Sequence, residues 1–302
     1  MKKSMLAALA VAVSAFAVAG LAHAEDTLKK IKDTGTITEG VRESSGALAF
    51  TLGDGKYAGF HYDVCAKVIA DIQKQLGLAK LETKYQPVTS QNRIPLVQNG
   101  TVDIECGSTT NNATRQKDVA FAPALYVEEV HIAVKASSGI TGIAGLNGKT
   151  VATTTGTTSV QLLRKNKRAA GMDFKELNGK DHSDSFLLLE SGRADAFVMD
   201  GQILAGLISK SKSPADYKIV GEPLSVEPIS IMYRKDDPAF KKAVDDSVRA
   251  MAKSGEVAKL YDKWFMQPIP PSNTKVGLPA SEATKAAWAN PTDKPLEEYA
   301  QP

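Results

Sequence analysis

Strand-like and helix-like segments alternate through this 302-residue chain in two runs, and two long extended segments separate the runs. The first run opens with a strand over 36–41. A turn signal follows at Gly53-Asp54-Gly55-Lys56. Val64, Val68, Ile69, Ile72 and Leu76 recur at helical spacing, which predicts a helix over 62–76. A strand over 81–88, a short helix over 93–97 closed by Asn99-Gly100, and a strand over 102–106 complete it. The second run predicts strands over 149–153, 173–177 and 194–199. Its helices fall over 158–167, 183–191 and, after the last of these strands, through Leu207. Alternation at this spacing implies α/β units with largely parallel sheets. Segments 127–135 and 226–234 are extended and β-rich, and read as crossings between two domains. The expected division is lobe 1 over 25–133 plus 229–269, lobe 2 over 134–228, and a tail over 270–302. Helices over 239–254 and 256–264 close lobe 1. Half of the 14 prolines lie from Pro268 to Pro302. Proline lacks the backbone donor, so the tail is expected to be irregular.

The first 24 residues have the layout of an export signal. Lys2 and Lys3 precede an almost wholly apolar stretch from Met5 to Leu21, and Ala22-His23-Ala24 supplies a small-residue cleavage site. Polar Glu25 and Asp26 follow at once, which favours cleavage after Ala24 over a retained anchor. No later apolar run approaches the roughly 20 residues of a membrane helix. The chain has 37 basic and 34 acidic residues, and loss of the leader removes two lysines. Near-neutrality argues against a nucleic-acid partner. Hydrophobic residues make up 43% and charged residues 24%, an ordinary globular mixture. The two cysteines, Cys65 and Cys106, cannot build a zinc site alone. Export permits a disulfide between them. Two buried thiols remain the alternative, and spatial separation decides.

A series of motifs in order resembles one family. They are Gly40-Val41-Arg42-Glu43-Ser44-Ser45, Thr89-Ser90-Gln91-Asn92-Arg93-Ile94-Pro95, and Glu105-Cys106-Gly107-Ser108-Thr109-Thr110-Asn111-Asn112 running on to Arg115. Gly156-Thr157-Thr158-Ser159, Lys180-Asp181-His182-Ser183-Asp184-Ser185-Phe186 and Met199-Asp200 follow. The chain resembles the periplasmic polar amino-acid-binding proteins of ABC importers, and within them the glutamate/aspartate-binding branch. The resemblance spans essentially the whole chain after the leader. It implies a two-lobed periplasmic-binding-protein fold: two α/β domains joined by two crossing strands, with ligand trapped between them. It also implies a monomer, no cofactor and no metal, located in the periplasm, which passes L-glutamate or L-aspartate to a membrane permease.

An acidic amino acid brings two carboxylates and one ammonium into a dry cleft, and unpaired buried charge is costly. By the resemblance, Arg115 meets the α-carboxylate, for which a planar guanidinium is suited. Ser108 and Thr110 flank it after a strand end. Thr157 and Thr158 supply the mouth of a helix, where free N–H groups favour an anion. Asp200 receives the ammonium. Arg42, Ser90, Arg93 and His182 form the site for the side-chain carboxylate. Taken singly, each has a plainer reading: a surface arginine, a helix cap, a loop histidine. Tyr57 and Phe60 read as hairpin packing outside the site.

Two other functions fit the same scaffold. A periplasmic dehydratase-like enzyme would use Asp200, Glu105 and His182 as acid/base groups. The sequence lacks a Gly-x-Ser-x-Gly elbow, a His-Glu-x-x-His pair and a phosphate-cradling loop. A soluble ligand sensor would need a separate membrane partner. The expectation is a binding protein and no enzyme.

Overall fold

A computed structural model describes residues 26–302. The leader and its cleavage site lie outside the described residues. Helix α1 (Thr27–Thr34), capped by the Asp26 side chain, leads into β1 (Thr36–Val41). A small antiparallel sheet follows, of β2 (Ser44–Ser45), β3 (Ala49–Gly53) and β4 (Lys56–Ala58). Its tight turn uses Asp54 and Gly55 at positive φ. Then come α2 (Phe60–Gln75), β5 (Glu82–Pro87), α3 (Arg93–Gln98), β6 (Ile104–Glu105), a 3₁₀ turn at Arg115–Lys117 and β7 (Val119–Phe121).

The chain crosses on β8 (Tyr126–Lys135) and builds β9 (Thr150–Thr154), α4 (Thr158–Ala169), β10 (Lys175–Gly179), α5 (His182–Glu190), β11 (Ala196–Asp200) and α6 (Gly201–Lys210). It returns on β12 (Tyr217–Ile229). β13 (Met232–Arg234), α7 (Pro238–Ser254), α8 (Glu256–Tyr261) and a π turn at Asp262–Met266 complete the first lobe. β14 (Pro268–Ile269) follows at its end, and β15 (Thr274–Lys275) and α9 (Glu282–Ala289) lie in the tail.

The two five-stranded sheets share one plan. Their orders are β5-β1-β6-β13-β7 and β10-β9-β11-β8-β12. In each, the lobe's first strand is flanked by its second and third in parallel. The strand arriving from the other lobe then runs antiparallel between the third and fourth. The sheets are therefore mixed rather than largely parallel. The reason is that the crossing segments enter the sheets as strands. β8 and β12 also pair with each other, from Tyr126↔Ile229 to Tyr217↔Lys135 across a register shift. The second crossing, expected as one run over 226–234, breaks between Ile229 and Met232.

Burial follows the two-residue period of a strand. Along β8, Val130, Ile132 and Val134 face one core with Val151, Leu163 and Val198, while Ala133 faces the opposite core with Phe186, Leu189 and Phe197. In the first lobe, α2, α7 and the π turn bury Val64, Val68, Ile72, Val244, Val248 and Phe265 together. Val97 of α3 packs with Val102, Val119, Phe121 and Met232 on the other face. Phe60 is buried in the first of these cores, and Tyr57 packs on Tyr85.

The cysteine question is settled by position. Cys65 on α2 and Cys106 after β6 form a disulfide, with Cα atoms 6.2 Å apart. The tail departs from the irregular reading. Between Pro279 and Pro291 the sequence is free of proline. There Ser281 caps α9 by accepting from the Thr284 N–H, and Thr284 and Ala287 are buried beneath it. Alanine-rich composition and a serine cap outweigh the prolines on either side.

Candidate ligand-binding site

A first strand placed between its second and third creates a switch point, and the crevice outside the carboxyl ends of such strands is where side chains converge. Every expected site residue lies at such an end. Arg42 follows β1, Ser90 and Arg93 follow β5, and Ser108, Thr110 and Arg115 follow β6. From the second lobe, Thr157 and Thr158 follow β9, His182 follows β10, and Asp200 ends β11. All but Thr158 are buried. The plainer readings of Arg93 and His182 as surface residues do not hold, since they are only 2% and 1% exposed.

The lobes meet directly across this crevice. The Arg42 guanidinium donates from Nη2 to Asp181 Oδ1 at 2.7 Å, and the same nitrogen lies 3.2 Å from His182 Nε2. Ser44 Oγ donates to the other Asp181 oxygen at 2.5 Å. Arg115 reaches over with Nη2 to the Gly156 carbonyl at 3.2 Å, while its Nη1 donates to the Thr110 carbonyl at 2.9 Å. Thr110 and Thr158, one from each lobe, both donate to Glu227 Oε2 on the crossing strand β12, at 2.6 and 2.8 Å. Gly156 shows how tight the approach is. At φ +82° it sits against the first lobe's backbone, and a Cβ there would lie 2.7 Å from the Ser90 carbonyl oxygen and the Gln91 Cα. Glycine is required for both reasons.

Two predicted residues contribute differently from the expectation. Burial, then the Arg42 charge, lowers His182 to about 3, so the imidazole is neutral. Arg42 is donor only, hence Nε2 accepts from it, and Nδ1–H donates to Thr154 Oγ1 at 3.0 Å. His182 orients Arg42 and adds no charge. Thr157 stands at the cap of α4 but turns its hydroxyl back to the Thr154 carbonyl at 2.7 Å. The first-turn N–H groups of α4 are thus left without a side-chain cap from it.

The remaining polar groups are out of balance. Among the described residues, Nε and Nη1 of Arg42, Nε and Nη1 of Arg93, and Oγ of Ser90 are buried with no hydrogen-bond partner. Such orphaned donors are rare in folded proteins. Burial pushes the Arg93 guanidinium below its ordinary value, and the charges of Arg115 and Arg42 add to this. Burial also lowers Arg115, against the pull of Glu227 and Asp200. Asp200 does not cap α6 with its side chain. Burial, then the Glu227 charge, raises it to about 7, although Arg93, Arg115 and Arg42 all pull it down. The crevice therefore holds guanidinium nitrogens with no hydrogen-bond acceptor, although the buried Glu105 carboxylate, whose Oε1 is also unpaired, acts on Arg93. Beside them is an Asp200 carboxylate that the three arginines only partly offset.

The sequence reading passed over several residues that shape this crevice. Asp181 stands in a quoted motif, at the cap position of α5, yet its side chain crosses to Arg42 and Ser44 instead of capping. Burial would raise its carboxyl, and the Arg42 charge holds it below the ordinary value. Glu227 lies in a segment read only as a crossing. Gln202 joins the lobes through the Ala47 N–H and Ser45 carbonyl at 3.0 and 3.3 Å. Pairings between residues more than a hundred positions apart leave no local signal.

The chain's residues 37–267 match the bacterial extracellular solute-binding proteins, family 3. This chain belongs to that family. An L-glutamate/L-aspartate-binding protein of Pseudomonas aeruginosa is 48% identical over 274 residues, covering 90% of each chain. A glutamate/aspartate import solute-binding protein of Escherichia coli is 44% identical over 303 residues, covering 98% of this chain and 99% of its own. Among solved structures, an ancestral arginine-binding protein bound to arginine has a TM-score of 0.67 at 30% identity, covering 76% of this chain and 98% of its own. All three are binding proteins by name. No helix among the described residues is long and apolar enough to cross a membrane.

Proposed function

We propose that this family 3 protein captures L-glutamate or L-aspartate between its lobes and delivers it to the permease of an ABC importer. The observation that carries the reading is the set of orphaned guanidinium nitrogens on Arg42 and Arg93, with Ser90 Oγ beside them in sequence. A neutral side chain such as that of glutamine would leave them poorly paired, whereas a second carboxylate supplies the charge they lack. Arg115 takes the α-carboxylate, together with the α4 mouth at Thr157 and Thr158 and the small residues Ser108 and Thr110. Asp200 takes the ammonium. His182 holds Arg42 in place. The Pseudomonas aeruginosa and Escherichia coli relatives both carry glutamate and aspartate in their names.

Ligand touches both lobes only when they close, so binding draws the population toward the closed form. The working division is lobe 1 over 25–133 plus 229–269 and lobe 2 over 134–228, with residues 130–133 of the first crossing already paired into the second lobe's sheet. The mature protein acts as a periplasmic monomer cleaved after Ala24. The reading includes no chemical step. Of the acid/base candidates, His182 is engaged by Arg42 and Thr154, and Glu105 accepts from Thr109 at 2.6 Å. Equilibrium dialysis with labelled L-glutamate tests the reading: unlabelled aspartate should compete and glutamine should not. Competition by glutamine at equal concentration would sink it, as would conversion of the label to a new product.

A further inference from the structure

Residues beyond 267 lie outside the family match, yet the end of the tail is tied to the loop that carries Arg115. We propose that residues 291–302 are a buttress that holds this loop in its ligand-ready position. The inference rests on Arg115 receiving the α-carboxylate, as proposed above.

The contacts converge on one buried residue. Asn111 is 0% exposed. Its side-chain amide donates to the Asp293 and Lys294 carbonyls at 2.9 and 3.3 Å, and its own carbonyl accepts the Leu296 N–H at 2.9 Å. Gln116 Nε2 bridges Asn111 Oδ1 and the Asp293 carbonyl at 2.8 and 3.1 Å. The Ala113 N–H donates to Glu297 Oε2 at 3.0 Å. On its other side the loop is pinned to the crossing strand: Asn111 N–H donates to the Pro228 carbonyl at 2.9 Å, and Thr110 bridges Ile229. The tail grips that same strand, where Gln301 bonds both the N–H and the carbonyl of Val226, at 3.1 and 3.0 Å. Val226 precedes Glu227, the shared acceptor of Thr110 and Thr158.

From Asn111 the constraint passes to the guanidinium in short steps. Asn112 Oδ1 accepts the Arg115 N–H at 2.8 Å and so starts the 3₁₀ turn, and Arg115 Nη1 returns to the Thr110 carbonyl. A loop gripped on both sides places the guanidinium before ligand arrives, which lowers the ordering cost of binding. Helix α9 anchors the tail separately, through Thr284 on Val127 and Trp288 on the Leu125 carbonyl. Removal of 291–302 leaves that anchor in place.

The test is a chain ending at Asn290, compared with the full chain by titration and stopped-flow with L-glutamate and L-aspartate. The expected result is a roughly tenfold loss of affinity for both acids, carried by faster dissociation and with their ratio unchanged. Asn111→Ala in the full chain should reproduce the loss, and it carries the test alone if the shortened chain fails to fold. Combining the two changes should cost no more than truncation by itself, because both cut one linkage. Dissociation at the full-chain rate in either variant, or losses that add, would overturn the buttress. A full chain that binds neither acid would instead overturn the functional reading.

Discussion

At the Arg115 end of the crevice the polar groups find partners inside the protein, whereas at the Arg42 and Arg93 end four guanidinium nitrogens do not. Arg115 donates to two carbonyls, and Thr110 and Thr158 share Glu227. That end is built by the fold and is complete enough to keep its shape. The other end keeps Arg42 half-engaged by Asp181 and His182 and gives Arg93 no partner for Nε or Nη1. The difference separates two tasks. A preorganised end suits the α-carboxylate that every amino acid carries. An end whose guanidinium nitrogens lack acceptors suits a group that only some carry, and so it selects among them.

The comparison can be broken most sharply at Arg115. Arg115→Ala should abolish detectable binding of every amino acid, at the upper end of the about 2–5 kcal/mol that follows loss of one partner from a buried charged pair. Calorimetry across acidic and neutral amino acids checks it; survival of glutamate binding would place the common contact elsewhere. Arg93→Ala should act on the selective end. Glutamate affinity should fall by about 2–3 kcal/mol and the preference over glutamine should shrink toward unity. Equal, mild effects of these two substitutions would erase the distinction between the ends.

Gly156→Ala probes where the lobes meet. A Cβ would press on the Ser90 and Gln91 backbone, at a φ that alanine disfavours. Affinity for both acids should drop by about 1–3 kcal/mol while the isolated lobes stay folded, a result read by small-angle scattering as failure to compact with ligand. Compaction equal to wild type would contradict the close approach.

The smallest effect is that of pH. Asp200 is raised to about 7, by burial and then Glu227, and an ammonium beside it favours the charged form. Binding should therefore release a proton below pH 7. Affinity should be level above that value and weaken as pH falls, by at most tenfold per unit. Calorimetry at pH 6, 7 and 8, in buffers of different ionisation heat, measures both. Affinity that does not change over this range would remove Asp200 from the ammonium.

Much of the fold was legible because local pattern carries it. Helical spacing over 62–76 and the strand before Arg42 needed no tertiary information, and the ordered motifs located the residues at the strand ends. What could not be read was long-range. The crossing segments became sheet strands because the first pairs within the second lobe's sheet and the end of the second, β13, pairs within the first lobe's sheet. The disulfide depended on where α2 and β6 come together. Asp181 gives up a local cap for a partner on the other lobe, and His182 loses its charge to burial and to Arg42. The tail was misread where its prolines masked a short alanine-rich helix.

The most direct measurement is calorimetric titration of the refolded, ligand-stripped mature protein with L-glutamate, L-aspartate, L-glutamine and L-arginine. The account predicts that the two acids alone bind at micromolar affinity or tighter, about −8 kcal/mol or better. Glutamine binding as tightly as glutamate would mean that Arg42 and Arg93 do not converge on a second carboxylate, and would contradict it.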